Sequence, residues 1–324
     1  MVRFDFLSGD VNVHDIIGEN TAQSAASNFY LGFMKGSGNG GIVFVVTNFS
    51  NVSYNISFEY TGNTYTIRGN VSKGSPPYFT DLRLGSIVEV SSNTFEDRFK
   101  SFQVQSDKPI SVTLLGGARV SSEFLVLPCH QYSNINRYEY YTVSTSSYSN
   151  TTFSEALIIG CRNSTNVTIT PSVDLFLPID AQLNGSRDTL VIANSSHTLV
   201  LHEGQTLLIG SRGGADISGT HIISNKPITV ITGHECGSTP DMIANNACFY
   251  MHLQVPPTVT WGKKFILSDF TSIYDNVNLD YTEYVKLITS QDDTMVTTDC
   301  NGTTSSIKYH KSGAVGTYEF NIFT

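Results

Sequence analysis

The residues with the clearest capacity for chemistry are His234-Glu235-Cys236, Cys248 and His252. Zinc takes four ligands from Cys and His, so these donors could compose a site. A Cys–His pair is also the starting point of a nucleophilic dyad. The same spacing suits a disulfide between Cys236 and Cys248 closing the polar loop 237–247, a bridge that would contribute about 3 kcal/mol in the chain-entropy model. The bridge is the expected arrangement, with His234 as a hydrogen-bonded turn residue. The alternative is a metal- or Cys-dependent hydrolase centred on His234, Cys236, Cys248 and His252. Cys129 and Cys161 are expected to form a second bridge, and Cys300 has no evident partner among the five cysteines.

Other patterns carry less. Gly36-Ser37-Gly38-Asn39-Gly40-Gly41 matches G-x-G-x-x-G, but Ile42-Val43-Phe44-Val45-Val46 follows it, where a dinucleotide site needs a helix. Asp275, Asn276, Asn278, Asp280 and Glu283 are rich in oxygen ligands but lack the Gly and Glu positions of an EF-hand loop. They read as a solvated loop. Trp261, the single tryptophan, reads as an anchor at a unit junction. No G-x-S-x-G, H-E-x-x-H or P-loop occurs, and no cofactor or metal is expected.

Ten Asn-x-Ser/Thr triplets begin at Asn48, Asn51, Asn55, Asn70, Asn150, Asn163, Asn166, Asn184, Asn194 and Asn301. That exceeds chance for this composition and points to a glycosylated, secreted surface, where disulfides also persist. A formal charge of −9 speaks against nucleic acid as a partner. No stretch approaches the ~20 apolar residues of a membrane span, and residues 1–10 lack the apolar core of a signal peptide.

The elements that must position these residues are strands. Short β-branched and aromatic runs, such as Ile42–Thr47, Tyr54–Tyr60, Ile110–Leu115, Ala156–Ile159, Ile228–Thr232 and Tyr284–Ile288, are punctuated by Gly, Asn, Ser and Pro. Val52, Tyr54, Ile56 and Phe58 alternate with Ser53, Asn55, Ser57 and Glu59, as in a half-buried strand. No window sustains helical periodicity over three turns.

Repeats set the architecture. Ser106-Asp107-Lys108-Pro109-Ile110-Ser111-Val112 recurs as Ser224-Asn225-Lys226-Pro227-Ile228-Thr229-Val230. The segment from Val45 resembles those from Ile158 and Leu287, and Phe29-Tyr30-Leu31 resembles Tyr140-Tyr141-Thr142 and Phe265-Ile266-Leu267. The expected fold is all-β, with tandem antiparallel β-sandwich-like repeats of about 115–130 residues. A β-propeller-like arrangement is the alternative. Expected boundaries are a lead segment 1–27, units 28–136 and 137–260, and an incomplete unit 261–324, with the two Lys-Pro steps opening matching strands. The third unit reaches Thr324 before any Lys-Pro step. By the repeat period it lacks about 30–40 residues, so the sequence reads as a fragment of a longer secreted chain.

Asp216–Ile228, Gly233-His234-Glu235-Cys236, Ala247–Pro257 and Thr260-Trp261-Gly262-Lys263-Lys264-Phe265, with the opening Phe29–Met34 and Val45–Asn48, resemble the N-terminal domain of the IgG Fc-binding protein family. The likeness runs over roughly 28–324 and is strongest at 216–267. It implies a secreted or surface-exposed, mucus-associated adhesion module that binds Fc or other extracellular glycoproteins or glycans, without catalysis. It carries over no ligand-contact residues.

Overall fold

The structure, a computed structural model, describes residues 2–7, 25–34, 41–60, 63–74, 78–81, 101–116, 122–132, 135–146, 152–178, 188–211, 215–238, 248–267, 282–300 and 302–321. It is all-β, with antiparallel sheets in a sandwich-like layout. Residues Ala22–Pro257 form one compact unit, and Met1–Thr21 with Thr258–Thr324 form a second.

The larger unit holds two sandwiches. The first is built from β2 (Ala26–Leu31), β3 (Gly41–Val46), β4 (Val52–Tyr60), β5 (Asn63–Val71), β6 (Tyr78–Asp81), β7 (Phe102–Gly116) and β8 (Ser122–Val126). β7 serves both layers. Its first half pairs with β4 (Phe58↔Phe102 to Tyr54↔Ser106) and its second half with β3 (Val46↔Ser111 to Gly41↔Gly116). The alternation on β4 is realised: Val52, Tyr54, Ile56 and Phe58 enter the core with Val43, Val45, Val104, Val112 and Leu114.

The second sandwich packs the sheet β14–β11–β16–β9 on the sheet β13–β12–β15–β10–β17–β18. Its strands are β9 (Tyr138–Tyr141), β10 (Ser154–Gly160), β11 (Thr165–Thr170), β12 (Leu175–Pro178), β13 (Asp188–Val191), β14 (His197–Leu201), β15 (Thr206–Ser211), β16 (His221–Ser224), β17 (Ile228–Gly237) and β18 (Phe249–Gln254). Its core includes Tyr140, Ile158, Val167, Ile169, Ile222 and Val230. β10 is buried on both faces, so it reads as a continuous apolar run. Its second face, Leu157 and Ile159, packs with Tyr30, Met34, Leu208 and Ile231 in a separate cluster that joins the two sandwiches. Each such buried aliphatic side chain contributes roughly 1.5–3 kcal/mol. Gly32 is needed here, because a Cβ on it would lie 2.7 Å from Leu157 Cδ2.

The smaller unit pairs β1 (Val2–Leu7), β19 (Lys264–Leu267), β21 (Thr294–Cys300) and β22 (Thr303–Tyr309) in the order β19–β1–β21–β22. Beside this sheet is the two-stranded β20 (Thr282–Ile288) with β23 (Val315–Asn321). Leu287 and Val296 are buried between them, with Leu267, Val285 and Tyr309 packed alongside. Residues 2–7, which the sequence suggests as part of a lead segment, therefore supply the strand beside β21.

Pairing follows one scheme throughout. β3 with β6, β10 with β15 and β20 with β23 are matching pairs. So are β4 with β5, β11 with β14 and β21 with β22. Before each member of the second set stands a non-glycine residue of positive φ: Asn51 at 50°, Ser164 at 55° and Asp293 at 53°. Such a conformation is uncommon outside glycine, and its threefold recurrence fixes the register of comparison between the sandwiches.

Candidate functional site

The Ser-Asp/Asn-Lys-Pro string builds a corner, and it builds the same corner twice. Ser106 Oγ donates to Lys108 O at 2.7 Å, and Ser224 Oγ donates to Lys226 O at 2.7 Å. Lys108 Nζ donates to Ser50 O (2.9 Å) and Lys226 Nζ to Asn163 O (2.7 Å). Ser53 N–H donates to Asp107 Oδ1 (2.9 Å), and Asn166 N–H to Asn225 Oδ1 (2.8 Å). Pro lacks an N–H, so it belongs where the chain leaves one ladder for another. Lys226-Pro227 stands directly before β17, whereas Lys108-Pro109 lies inside the long β7, in the stretch between its two ladders. The two lysines satisfy backbone carbonyls at their own corners, which gives the string a structural role.

The histidine–cysteine cluster is divided by its strands. Cys236 is disulfide-bonded to Cys248, with Cα atoms 5.0 Å apart, and Cys129 to Cys161, with Cα atoms 6.1 Å apart. Neither sulfur of the first pair is therefore a free thiol for the nucleophile of the hydrolase reading. Among the described residues no three His, Cys, Asp or Glu side chains converge on a common point. His234 is fully buried, and its Nδ1 accepts the Cys236 N–H at 2.8 Å, which leaves the ring proton on Nε2. Burial pushes its pKa down to about 4, opposed by the negative charge of Asp216. Gly233 beside it is dictated by close backbone approach, since a Cβ there would lie 1.9 Å from Met251 O.

His252 faces the first sandwich. The backbone N–H and O of His252 bond Ser122 Oγ at 3.3 and 3.0 Å. Its ring meets the Phe124 edge with centroids 4.7 Å apart and lies 4.8 Å from the Tyr250 ring. Burial alone pushes its pKa down to about 4. Two residues on, Gln254 accepts the Leu127 N–H (2.8 Å) and donates to Leu127 O (3.0 Å), a side chain standing in for a strand partner. At the same junction the Tyr30 hydroxyl donates to Glu203 and accepts from Gln103 Nε2 at 2.8 Å. Burial, reinforced by Glu203, lifts the Tyr30 pKa to about 12. These groups hold two sandwiches together. Nothing local in the sequence marks Ser122, Gln254 or Glu203 for that task, whereas the recurrence of Ser-x-Lys-Pro does mark Asp107 and Asn225.

Of the candidate glycan acceptors, Asn48, Asn51, Asn55, Asn70, Asn163, Asn166 and Asn194 are all exposed. Asn55 and Asn70 share the outward face of β4 and β5 with Ser53 and Thr66. Asn150, Asn184 and Asn301 lie outside the described residues. So do the glycine-rich segment 36–40 and most of the oxygen-rich run at 275–283. Trp261 follows a single turn of 3-10 helix at Thr258–Thr260, its N–H donating to Thr258 O at 3.0 Å. The side chain of Cys300 is likewise outside the described set, and its backbone pairs with Val2 and Thr303.

A family model described as IgGFc binding protein covers residues 122–322, more than half of the chain. The span opens at β8 and includes the second sandwich, so most of the first sandwich lies outside it. No curated protein and no solved structure matches the chain.

Proposed function

Because the chain belongs to the IgGFc-binding protein family, we propose that it is a secreted, N-glycosylated, non-catalytic adhesion module that recognises extracellular glycoproteins or mucus components. The family match over 122–322 carries this reading. Two disulfides support an oxidising compartment, and exposure of all seven described acceptor asparagines supports glycosylation. With Cys236 and Cys248 bridged and His234 and His252 buried, the cluster that suggested catalysis acts in packing.

The test is to express the chain in a secreting eukaryotic host and probe an array of glycoproteins and glycans that includes immunoglobulin Fc and mucin. Saturable binding that survives EDTA and iodoacetamide is the expected result, with a mass loss on enzymatic deglycosylation. Binding to nothing on the array would favour a structural spacer. Turnover of an ester or peptide substrate that EDTA or a thiol reagent abolishes would favour the hydrolase.

A further inference from the structure

The cluster that joins the two sandwiches of the larger unit defines a docking rule. The outward face of one sandwich, on β15, β10, β17 and β18, receives the outward side of a β2-type strand from its neighbour. The inserted residue is Tyr30, 1% exposed, against Leu157, Ile159 and Ile231. At the margin, Gln254 clamps the Leu127 backbone.

Each half of this contact has a counterpart with an exposed apolar side chain among the described residues. On the first sandwich, Val46 stands where Ile159 stands on the second, each five residues before the positive-φ turn residue. Leu125, opposite Thr113, stands where Gln254 stands opposite Ile231. Ile159 is fully buried, whereas Val46 is 46% and Leu125 44% exposed. In the smaller unit, β19 holds the place of β2. Phe265 pairs with Phe4 opposite Thr298, as Phe29 pairs with Val104 opposite Ile56, so Ile266 stands where Tyr30 stands. Ile266 is 60% exposed. A receiving face with Val46 and Leu125 exposed and an inserting strand with Ile266 exposed have the form of the two ends of a heterologous contact.

We propose that the outward face of β3, β7 and β8 docks a second copy of this chain, which inserts Ile266 of its β19 beside Val46 and Leu125. The charges agree. Glu123 is exposed two residues from Leu125 on the receiving face, and Lys264 is exposed two residues from Ile266 on the inserting strand. Opposite charges at the margin of an apolar contact set its orientation and suppress wrong pairings. The acceptor asparagines agree too. None falls within β3, the second half of β7 or β8, nor within β19, whereas the opposite layer of the first sandwich carries Asn55 and Asn70.

Sedimentation velocity on the full chain, from micromolar to near-millimolar concentration, tests this. Association should rise with concentration, and Leu125→Glu or Ile266→Glu should each weaken it on the order of 100-fold or more by burying an unpaired charge. Both positions are exposed, so the melting temperature of each variant should stay at the wild-type value, which separates loss of docking from loss of folding. Mixing the two variants must restore a dimer and nothing larger, since each keeps the surface the other lacks. Glu123→Lys should weaken association and Lys264→Glu should rescue it when the two are mixed. A chain that stays monomeric throughout overturns the proposal, as does association untouched by both substitutions or a mixture that fails to dimerise. Hydroxyl-radical footprinting that finds Leu125 protected in a monomer would place the cover within one chain and overturn it as well. Loss in Leu125→Glu of binding to a different protein, without self-association, would do the same.

Discussion

His234 and His252 are held where protonation would strand a charge away from water, and burial is the leading cause of the depressed pKa in both. In the unfolded chain each titrates near 6.5. As pH falls below that value, the unfolded state takes up protons that the folded state refuses until about pH 4. Stability is therefore complete above pH ~6.5, declines through the interval down to about 4, and changes no further from this source below it. Each ring accounts for up to ~3 kcal/mol across that interval. Urea unfolding at a series of pH values should show the decline, and His252→Phe should remove about half of it, its phenyl ring meeting Phe124 and Tyr250 in place of the imidazole. A slope unchanged by that substitution would mean His252 titrates as if in water. At the corners, Asp107→Ala and Asn225→Ala each remove the acceptor for a strand-opening N–H. Each should cost about 1 kcal/mol in the same assay, and similar losses from the two would confirm that the corners do the same work.

Among the elements, the Cys129–Cys161 bridge ties segments that no ladder joins, whereas Cys236–Cys248 closes the turn between the paired strands β17 and β18. Cys129 and Cys161 are separated by 32 residues and Cys236 and Cys248 by 12. The chain-entropy model gives about 4 and about 3 kcal/mol for the two. With both bridged, one of five cysteines should label with iodoacetamide in denaturant without reductant, and all five after reduction, by mass spectrometry. Strands with one wet face, such as β4, were legible because alternation records burial directly. The corner string was legible because it recurs with the same neighbours. β7 was not legible as one strand, since Lys-Pro looks like a boundary and only the ladders on either side reveal that the strand continues through it. The second face of β10 and the docking of β18 on β8 depend on residues about a hundred positions away, and no local period encodes such partners. The chemical look of His234, Cys236, Cys248 and His252 arose from proximity in sequence, which adjacent antiparallel strands convert into alternating directions and separate environments.

For the whole molecule, the place of β1 makes the most exacting demand. In the first two sandwiches the strand beside β4 or β11 comes from later in the same repeat, as the first half of β7 and as β16. In the smaller unit that place is filled by Val2–Leu7, paired on one side with β21 over six residues and on the other with β19 over four. Removing β1 leaves two strand edges with unpaired N–H and C=O groups, beside a core whose buried apolar side chains among the described residues are Leu287 and Val296. Among the described residues, the three apolar clusters of the larger unit draw on residues between Ala26 and Ile231. A chain beginning at Ala22 should therefore keep the cooperative melt of the larger unit and lose structure in 258–324, seen as rapid proteolysis confined to that region. A chain of residues 22–257 should melt at the temperature of the larger unit in the full protein. Restoring residues 1–21 as a separate peptide should restore protease resistance to 258–324 in proportion to its concentration, as strand addition requires. If 258–324 resists protease equally well without residues 1–21, β1 is dispensable and the smaller sandwich is held by its β20–β23 layer alone.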